Sequence, residues 1–234
     1  RLLSLLNIKH SKLPLPKLVS DIYDEEKYRK QQEYFRVNSS FGMITSTFSF
    51  ILIILMLIFG GFGWLDGIVS NFTENTIFRS LVFFGIIFIV YDFINIPFEW
   101  YDTFVIEERF GFNKTTPKTF ILDKLKGYLL TIIIGGLLLS AIIYIYQLTP
   151  KYFWVIAWGV ITLFSLFMSM FYSELIVPLF NKQTPLPEGE LRTEIENFAQ
   201  KSGFKLKNIF QIDGSKRSTK ANAYFSGLGP KKRI

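Results

Sequence analysis

Four long apolar runs constrain the fold of this 234-residue chain more than any other feature of its sequence. They cover about 41–64, 81–98, 129–146 and 153–180, and each is close to the roughly 20 residues that an α-helix needs to cross a bilayer. Half of all residues are hydrophobic and 18% are aromatic, which is typical of membrane proteins. The sequence therefore predicts an all-α polytopic membrane protein with four transmembrane helices.

The scarcity of metal-binding residue types excludes several kinds of site. The chain has no cysteine, which excludes disulfides, iron–sulfur clusters and thiolate zinc sites. His10 is the single histidine, whereas a catalytic zinc site usually takes two or three imidazoles. The sequence also contains no P-loop, nucleophile elbow or paired-glutamate motif. We therefore predict no catalytic residue and no metal ligand within these 234 residues.

The distribution of Lys and Arg predicts the orientation in the membrane. Residues 1–41, 99–128 and 181–234 contain eight, five and eleven of them, whereas 65–80 and 147–152 contain one each. Basic segments stay on the cytoplasmic side of membrane helices, so both chain ends and the middle loop are predicted to be cytoplasmic. This pattern also explains the net charge of +7 without invoking nucleic acid, for which no binding motif is present.

Local signals predict where several cytoplasmic helices begin and end. Asp21 is a candidate N-cap for a charged helix that leads into the first apolar run. In the middle loop, Glu107-Glu108-Arg109 followed by Gly111 is typical of a helix that ends at a glycine. Pro117 then favours the first turn of the next helix.

Two acidic residues, Asp92 and Glu174, interrupt the apolar runs. An unpaired charge within the bilayer costs several kcal/mol, so such residues often line a polar cavity or an ion path. They can equally mark a helix end whose side chain reaches the interface. The sequence leaves both interpretations open.

The composition after Phe180 becomes that of a water-soluble segment, which suggests three regions: 1–40, the membrane region 41–180, and 181–234. The last region predicts an amphipathic helix over 186–201 that ends near Gly203. Short strands are predicted over 207–213 and 221–226, with a third beginning at Lys231. Together these elements predict a partial small α+β segment at the C-terminal end.

Three motifs carry a resemblance to a known family. They are YDTFVIEERFGFN from Tyr101, IVPLFNKQTPLPEGEL from Ile176, and DGSKRSTKANAYFSGLGPKKRI from Asp213. In this order and spacing the motifs resemble the type I CAAX prenyl proteases, which are integral-membrane zinc metallopeptidases. The resemblance extends over nearly the whole chain, from about Lys17 onward.

The resemblance implies a fold and an activity. Members of the family form a chamber of seven membrane helices, and they remove the C-terminal tripeptide of prenylated CAAX proteins or cleave membrane-associated peptides. Zinc is held by a His-Glu-x-x-His helix and a more distant glutamate, and it activates a water. The resemblance places the first helix before Arg1, and the zinc ligands and last two helices after Ile234. We therefore expect the chain alone to be inactive.

The resemblance also assigns substrate-binding residues. The family's edge strand beside the zinc carries Asn-Ala, and Asn222, Ala223, Tyr224 and Phe225 occupy the matching positions. Such a strand binds an extended peptide through its backbone N–H and C=O groups. An ordinary hairpin strand is the alternative. The expected partners are a peptide or prenylated-protein substrate and membrane lipids. From their charge alone, juxtamembrane lipid contact or a solvated face is expected for the basic side chains Lys216, Arg217, Lys220, Lys231, Lys232 and Arg233.

Two other functional classes stay open. One is a non-catalytic membrane scaffold or partner-binding subunit derived from the same family. The other is a transporter, which the intramembrane acids favour and the absence of a visible inverted repeat disfavours. In each case we expect a multi-pass protein of the bacterial inner membrane or, in a eukaryote, of the endoplasmic reticulum.

Overall fold

The fold is described from a computed structural model, which covers residues 1–204, 206 and 208–227. The chain divides into two compact units, Arg1–Asn113 and Lys114–Ile234. The predicted strand from Lys231 and the basic residues Lys231, Lys232 and Arg233 lie outside the described residues.

The first unit is helical. Its elements, in chain order, are α1 (Leu2–His10), a 3₁₀ turn (Lys17–Val19), α2 (Glu25–Ile58), α3 (Gly61–Ser70), α4 (Thr76–Tyr101) and a π-helical turn (Asp102–Glu107).

Helix α2 differs at both ends from the predicted interval of 41–64. It begins after Asp24, not Asp21, because the Asp24 carboxylate accepts a hydrogen bond from the Lys27 N–H at 2.8 Å. The charged segment and the first apolar run therefore form one helix. That helix ends at Ile58 because Gly60 adopts a left-handed conformation with φ 66°, after which α3 begins.

Helix α4 continues beyond the predicted end near Pro97. The proline lies inside the helix, four residues before its last residue, Tyr101. Proline removes one backbone donor, but membrane helices tolerate it where neighbouring groups satisfy the freed carbonyl. Aromatic rings pack α4 against α2, with the Phe98 centroid 6.3 Å from Phe41 and 5.2 Å from Phe48.

The second unit contains the remaining helices and a small sheet. Its elements, in chain order, are α5 (Pro117–Leu130), a π-helical turn (Thr131–Gly135), α6 (Gly136–Leu148), α7 (Phe153–Leu175), α8 (Val177–Phe180), β1 (Gln183–Pro185), α9 (Glu190–Lys201) and β2 (Phe210–Ile212). Thr116 caps α5 through the Thr119 N–H, and Pro117 occupies the first turn, as predicted.

Four stretches of the described chain are long and apolar enough to cross a membrane: Glu25–Ile58, Thr76–Glu107, Pro117–Leu148 and Phe153–Phe180. In their most apolar parts at most 6% of residues are buried inside the protein. Exposed apolar side chains are favourable in contact with lipid and unfavourable in contact with water, which is the pattern of helices that cross a bilayer. The prediction of an all-α polytopic protein with four membrane helices and a small C-terminal α+β segment is confirmed.

The C-terminal sheet is smaller than the sequence predicts. Strands β1 and β2 pair antiparallel, with Thr184 opposite Gln211. Helix α9 begins at Glu190, after Pro187 and Gly189, and ends just before Gly203, whose φ is 66°. Residues 221–225 belong to neither strand, so the structure does not contain the predicted strand there.

Candidate functional site

The four candidate substrate-binding residues, Asn222–Phe225, form an exposed stretch of chain. The Tyr224 and Phe225 side chains are 44% and 71% exposed. Among the described residues, the one hydrogen bond to a backbone group of this stretch joins the Ala223 N–H to Asn222 Oδ1. The stretch is therefore an unpaired segment and not the edge strand that the sequence predicts, because neither β1 nor β2 pairs with it.

The Asn222 side chain is turned back on its own backbone. Its Oδ1 accepts from the Ala223 N–H at 2.9 Å. An amide oxygen has two lone pairs, so Oδ1 can accept a second hydrogen bond, and the amide nitrogen has two hydrogens to donate. Asn222 can thus contact an extended peptide while it keeps its hydrogen bond to the Ala223 N–H.

A groove of about 390 Å³ lies beside this segment. Asn222, Ala223 and Tyr224 form part of its wall. The rest of the wall combines polar and apolar side chains from α7, β1, α9 and β2, among them Ser173, Gln183, Leu191, Ile195, Ile209 and Phe210. Grooves with apolar walls and a few polar groups are typical of peptide and small-molecule sites.

One end of the segment is joined to a membrane helix. The Ser226 and Ser173 hydroxyl oxygens lie 2.6 Å apart, within hydrogen-bonding distance. Ser173 belongs to α7 and is only 4% exposed, and its backbone carbonyl accepts from the Gln183 side chain at 2.9 Å. Because the buried Ser173 is held through its backbone carbonyl, its hydroxyl provides a fixed partner for Ser226 at the segment's C-terminal end.

Arg217 makes a further set of contacts before the segment. Its guanidinium forms a bidentate pair with Asp123 of α5, with N···O distances of 2.6 and 2.8 Å. It also donates to Asn181 Oδ1 at 2.6 Å and to the Phe180 carbonyl at 3.1 Å. The sequence suggested only a lipid-facing or solvated basic residue here. No local signal predicts the pair, because its partners lie 94 positions apart.

A tight turn precedes Arg217. The Asp213 carboxylate accepts from the Ser215 hydroxyl at 2.6 Å, and the Arg217 N–H donates to the Gly214 carbonyl at 3.0 Å. The Ser215 hydrogen bond lowers the pKa of Asp213 from its ordinary value of 3.8; desolvation opposes this shift, and the nearby Lys216 charge adds to it. Asp213 therefore stays ionised and keeps the turn closed at neutral pH.

The Glu107–Arg109 motif has a structural role in the first unit, as the sequence suggested. The Tyr34 hydroxyl donates to Glu107, and Arg109 pairs with Glu33 at 2.6 Å. The Tyr34 ring also packs edge-on against Phe110, which is buried. These contacts join the end of α4's π-helical turn to α2.

The two intramembrane acids are both half-buried. Asp92 lies nine residues before the end of α4, and the π-helical turn continues beyond it, so it does not mark a helix end. Glu174 is next to the last residue of α7, which agrees with the helix-end interpretation.

The described residues contain no group of three or more His, Cys, Asp or Glu side chains that could hold a metal ion. The geometry they provide is that of an exposed segment beside a groove, with Arg217 before it bonded to α5 and Ser226 after it bonded to α7.

Comparison with known proteins agrees with this arrangement. Residues 4–182 match the family model described as the CAAX prenyl protease N-terminal region with five membrane helices, and residues 185–234 match the model of peptidase family M48. The chain is 38% identical to CAAX prenyl protease 1 homolog of Arabidopsis thaliana, over 99% of this chain and 57% of that protein. It is 35% identical to the homolog of Homo sapiens, over 94% and 48%.

A solved structure supports the same relationship. The crystal structure of S. mikatae Ste24p superimposes with a TM-score of 0.90 at 32% sequence identity, covering 99% of this chain and 56% of that one. The chain thus spans about half the length of the relatives it matches. Since the matched models cover almost every residue from 4 to 234, the chain belongs to the CAAX prenyl protease family of M48 membrane metallopeptidases.

Proposed function

We propose that this chain is the membrane-embedded and substrate-binding part of a zinc metalloendopeptidase that cleaves prenylated CAAX proteins or membrane-associated peptides. The observation that carries the proposal is the Asn222–Phe225 segment, which lies within the region matched to peptidase family M48. Its residues are exposed and most of its backbone N–H and C=O groups are unbonded within the described chain, so they can pair with an extended peptide. The adjacent groove offers apolar contacts to the peptide's side chains.

The family implies a metal, generally zinc, but the residues described here do not fit one. Zinc in such enzymes needs imidazole ligands, and the 234 residues contain one histidine. We therefore place the zinc ligands after Ile234 and expect no hydrolysis by these residues alone. What this chain contributes is peptide binding, orientation and a membrane setting.

The first test concerns the metal. We expect the gene to encode a His-Glu-x-x-His sequence after Ile234, and its full product in liposomes to cleave a farnesylated CAAX peptide. The chelator 1,10-phenanthroline should abolish that cleavage. The 234 residues alone, purified in detergent, should show none. Chelator-sensitive cleavage by the 234 residues would contradict their predicted inactivity. A gene without the motif would favour the non-catalytic scaffold instead.

The second test concerns Asn222. Asn222→Ala in the full gene product should raise KM roughly tenfold, because one or two hydrogen bonds to the peptide backbone are lost. Asn208→Ala is a matched control, since the Asn208 side chain also accepts from the next N–H, at 2.8 Å. An equal effect of both substitutions would show that the local turn matters and not peptide binding.

We further propose that both chain ends face the cytoplasm, in the bacterial inner membrane or the endoplasmic reticulum. Prenylated proteins reach such a site from the cytoplasmic leaflet, where exposed basic side chains such as Lys216 and Lys220 contact anionic lipid headgroups. Comparing a farnesylated peptide with its unmodified form distinguishes the two substrate classes. A prenyl-dependent substrate should lose most of its kcat/KM without the lipid.

A further inference from the structure

We infer that Arg217 is a positioning residue for the Asn222–Phe225 segment, and that it acts together with the Ser173–Ser226 pair. The inference rests on the proposed function, because it assigns a purpose to the fixed position of that segment. The Arg217 contacts form the first anchor, and the Ser173–Ser226 pair forms the second.

The first anchor uses most of the guanidinium. Two nitrogens bind both oxygens of Asp123, a third binds Asn181 Oδ1, and one of them also donates to the Phe180 carbonyl. Four donors are thus directed at three residues in a fork that only arginine provides, since a lysine ammonium is a single point. The Arg217 and Asp123 side chains are 25% and 24% exposed, so water screens this pair only partly.

The backbone of Arg217 is held as well. Its carbonyl accepts from the Lys114 N–H at 3.0 Å and from the Thr115 hydroxyl at 3.2 Å. The turn that begins at Asp213 then sets the direction in which the chain leaves. Arg217 is therefore fixed to the start of α5 through its backbone and to the end of α8 through its side chain.

The Asn222–Phe225 segment itself has few contacts in the described part of the chain. The Phe225 ring packs edge-on against Phe204, with centroids 5.7 Å apart. Otherwise the backbone of Asn222–Phe225 has no hydrogen-bonding partner in the described chain beyond the Asn222 side chain. A segment with so few contacts is placed by its two ends, so the loss of either anchor leaves it free to sample many positions.

Mobility has a predictable effect on catalysis. A peptide that binds a mobile segment must order it first, which raises KM, whereas partial unfolding lowers the active fraction and leaves KM unchanged. We expect Arg217→Gln in the full gene product to raise KM roughly tenfold, the effect of losing one or two charge-assisted hydrogen bonds. Arg217→Lys should restore only part of this loss. Lys151→Gln is the control, because it removes the same charge from an exposed residue outside the Asp213 turn and the groove.

A second measurement does not depend on protease activity. The chain has no cysteine, so a nitroxide can be attached to Ala223→Cys alone in the 234-residue protein. Its electron paramagnetic resonance spectrum should show an immobilised label, which becomes mobile on Arg217→Gln, Asp123→Asn or Ser226→Ala but not on Lys151→Gln.

The two measurements separate the possible failures. An unchanged spectrum in the well-folded Asp123→Asn and Ser226→Ala proteins would overturn the positioning role, as would equal effects of Arg217→Gln and Lys151→Gln. If the wild-type gene product cleaves no peptide but the spectra change as expected, the proposed function fails while the anchoring of the segment stands.

Discussion

At the scale of single residues, short polar contacts shape the loop that leads to the candidate peptide-binding segment. Asp213 accepts from the Ser215 hydroxyl, and its backbone N–H donates to the Lys182 carbonyl at 3.0 Å. Lys216 lies 3.7 Å from the same carboxylate. These groups belong to one exposed turn, so their effect on the loop depends on the ionisation of Asp213.

The first prediction concerns pH. The pKa of Asp213 is lowered in the folded protein, mainly by Ser215, whereas an aspartate in the unfolded chain titrates near 3.9. Between the lowered pKa of the folded state and that of the unfolded chain, the unfolded state therefore binds more protons. The contribution of the Ser215–Asp213 hydrogen bond to the unfolding free energy is fully present above about pH 4, and it is lost as the pH falls through the lowered pKa. We expect Ser215→Ala to lower the thermal unfolding midpoint at pH 6 and to have little effect at pH 3. A difference that stays constant between these pH values would rule out this linkage.

At the scale of elements, helix ends follow local rules with few exceptions. Thr116 and Asp24 cap their helices, and Gly60 and Gly203 end or follow theirs with positive φ. The end of the second span shows the same device. After the π-helical turn, Gly111 adopts φ 76°, and its N–H donates to the Glu108 carbonyl at 2.9 Å.

Gly111 provides the second prediction. A Cβ there would meet no atom within 4 Å, so Gly111→Ala should act through backbone strain alone and cost about 1 kcal/mol of unfolding free energy. Gly127→Ala is the matched control, because Gly127 is helical and its Cβ position is also open. That substitution should stabilise the protein by up to ~1 kcal/mol. Unfolding in detergent by circular dichroism measures both, and effects of the same sign would contradict the argument.

At the scale of the whole molecule, the number of candidate spans bears on topology: if all four cross the membrane, we expect the N-terminal and C-terminal segments on the same side. The basic residues favour the cytoplasmic side for both. The short loop between the first two spans, residues 65–80, contains one basic residue, Arg79. The Asp66 carboxylate pairs with it and neutralises its positive charge.

The third prediction tests this topology. Since the chain has no cysteine, each of Lys12→Cys, Glu74→Cys, Lys151→Cys and Glu194→Cys carries one reactive thiol at an exposed position. In intact cells a membrane-impermeant maleimide should label only the Glu74 and Lys151 variants, and permeabilised cells should show labelling of all four. Labelling of the Lys12 variant in intact cells would reverse the predicted orientation.

The four membrane helices and the helix ends near Gly111, Pro117 and Gly203 follow from the sequence alone, because apolar length, caps and glycines act over a few neighbouring residues. The sequence also carried the family motifs around Glu107 and Asn222. The pairing of Arg217 with Asp123 and of Tyr34 with Glu107 depends on the folded chain, because these partners lie 94 and 73 positions apart. The tertiary structure also decided that 221–225 is no strand, since a strand needs a neighbour to pair with and no local pattern supplies one.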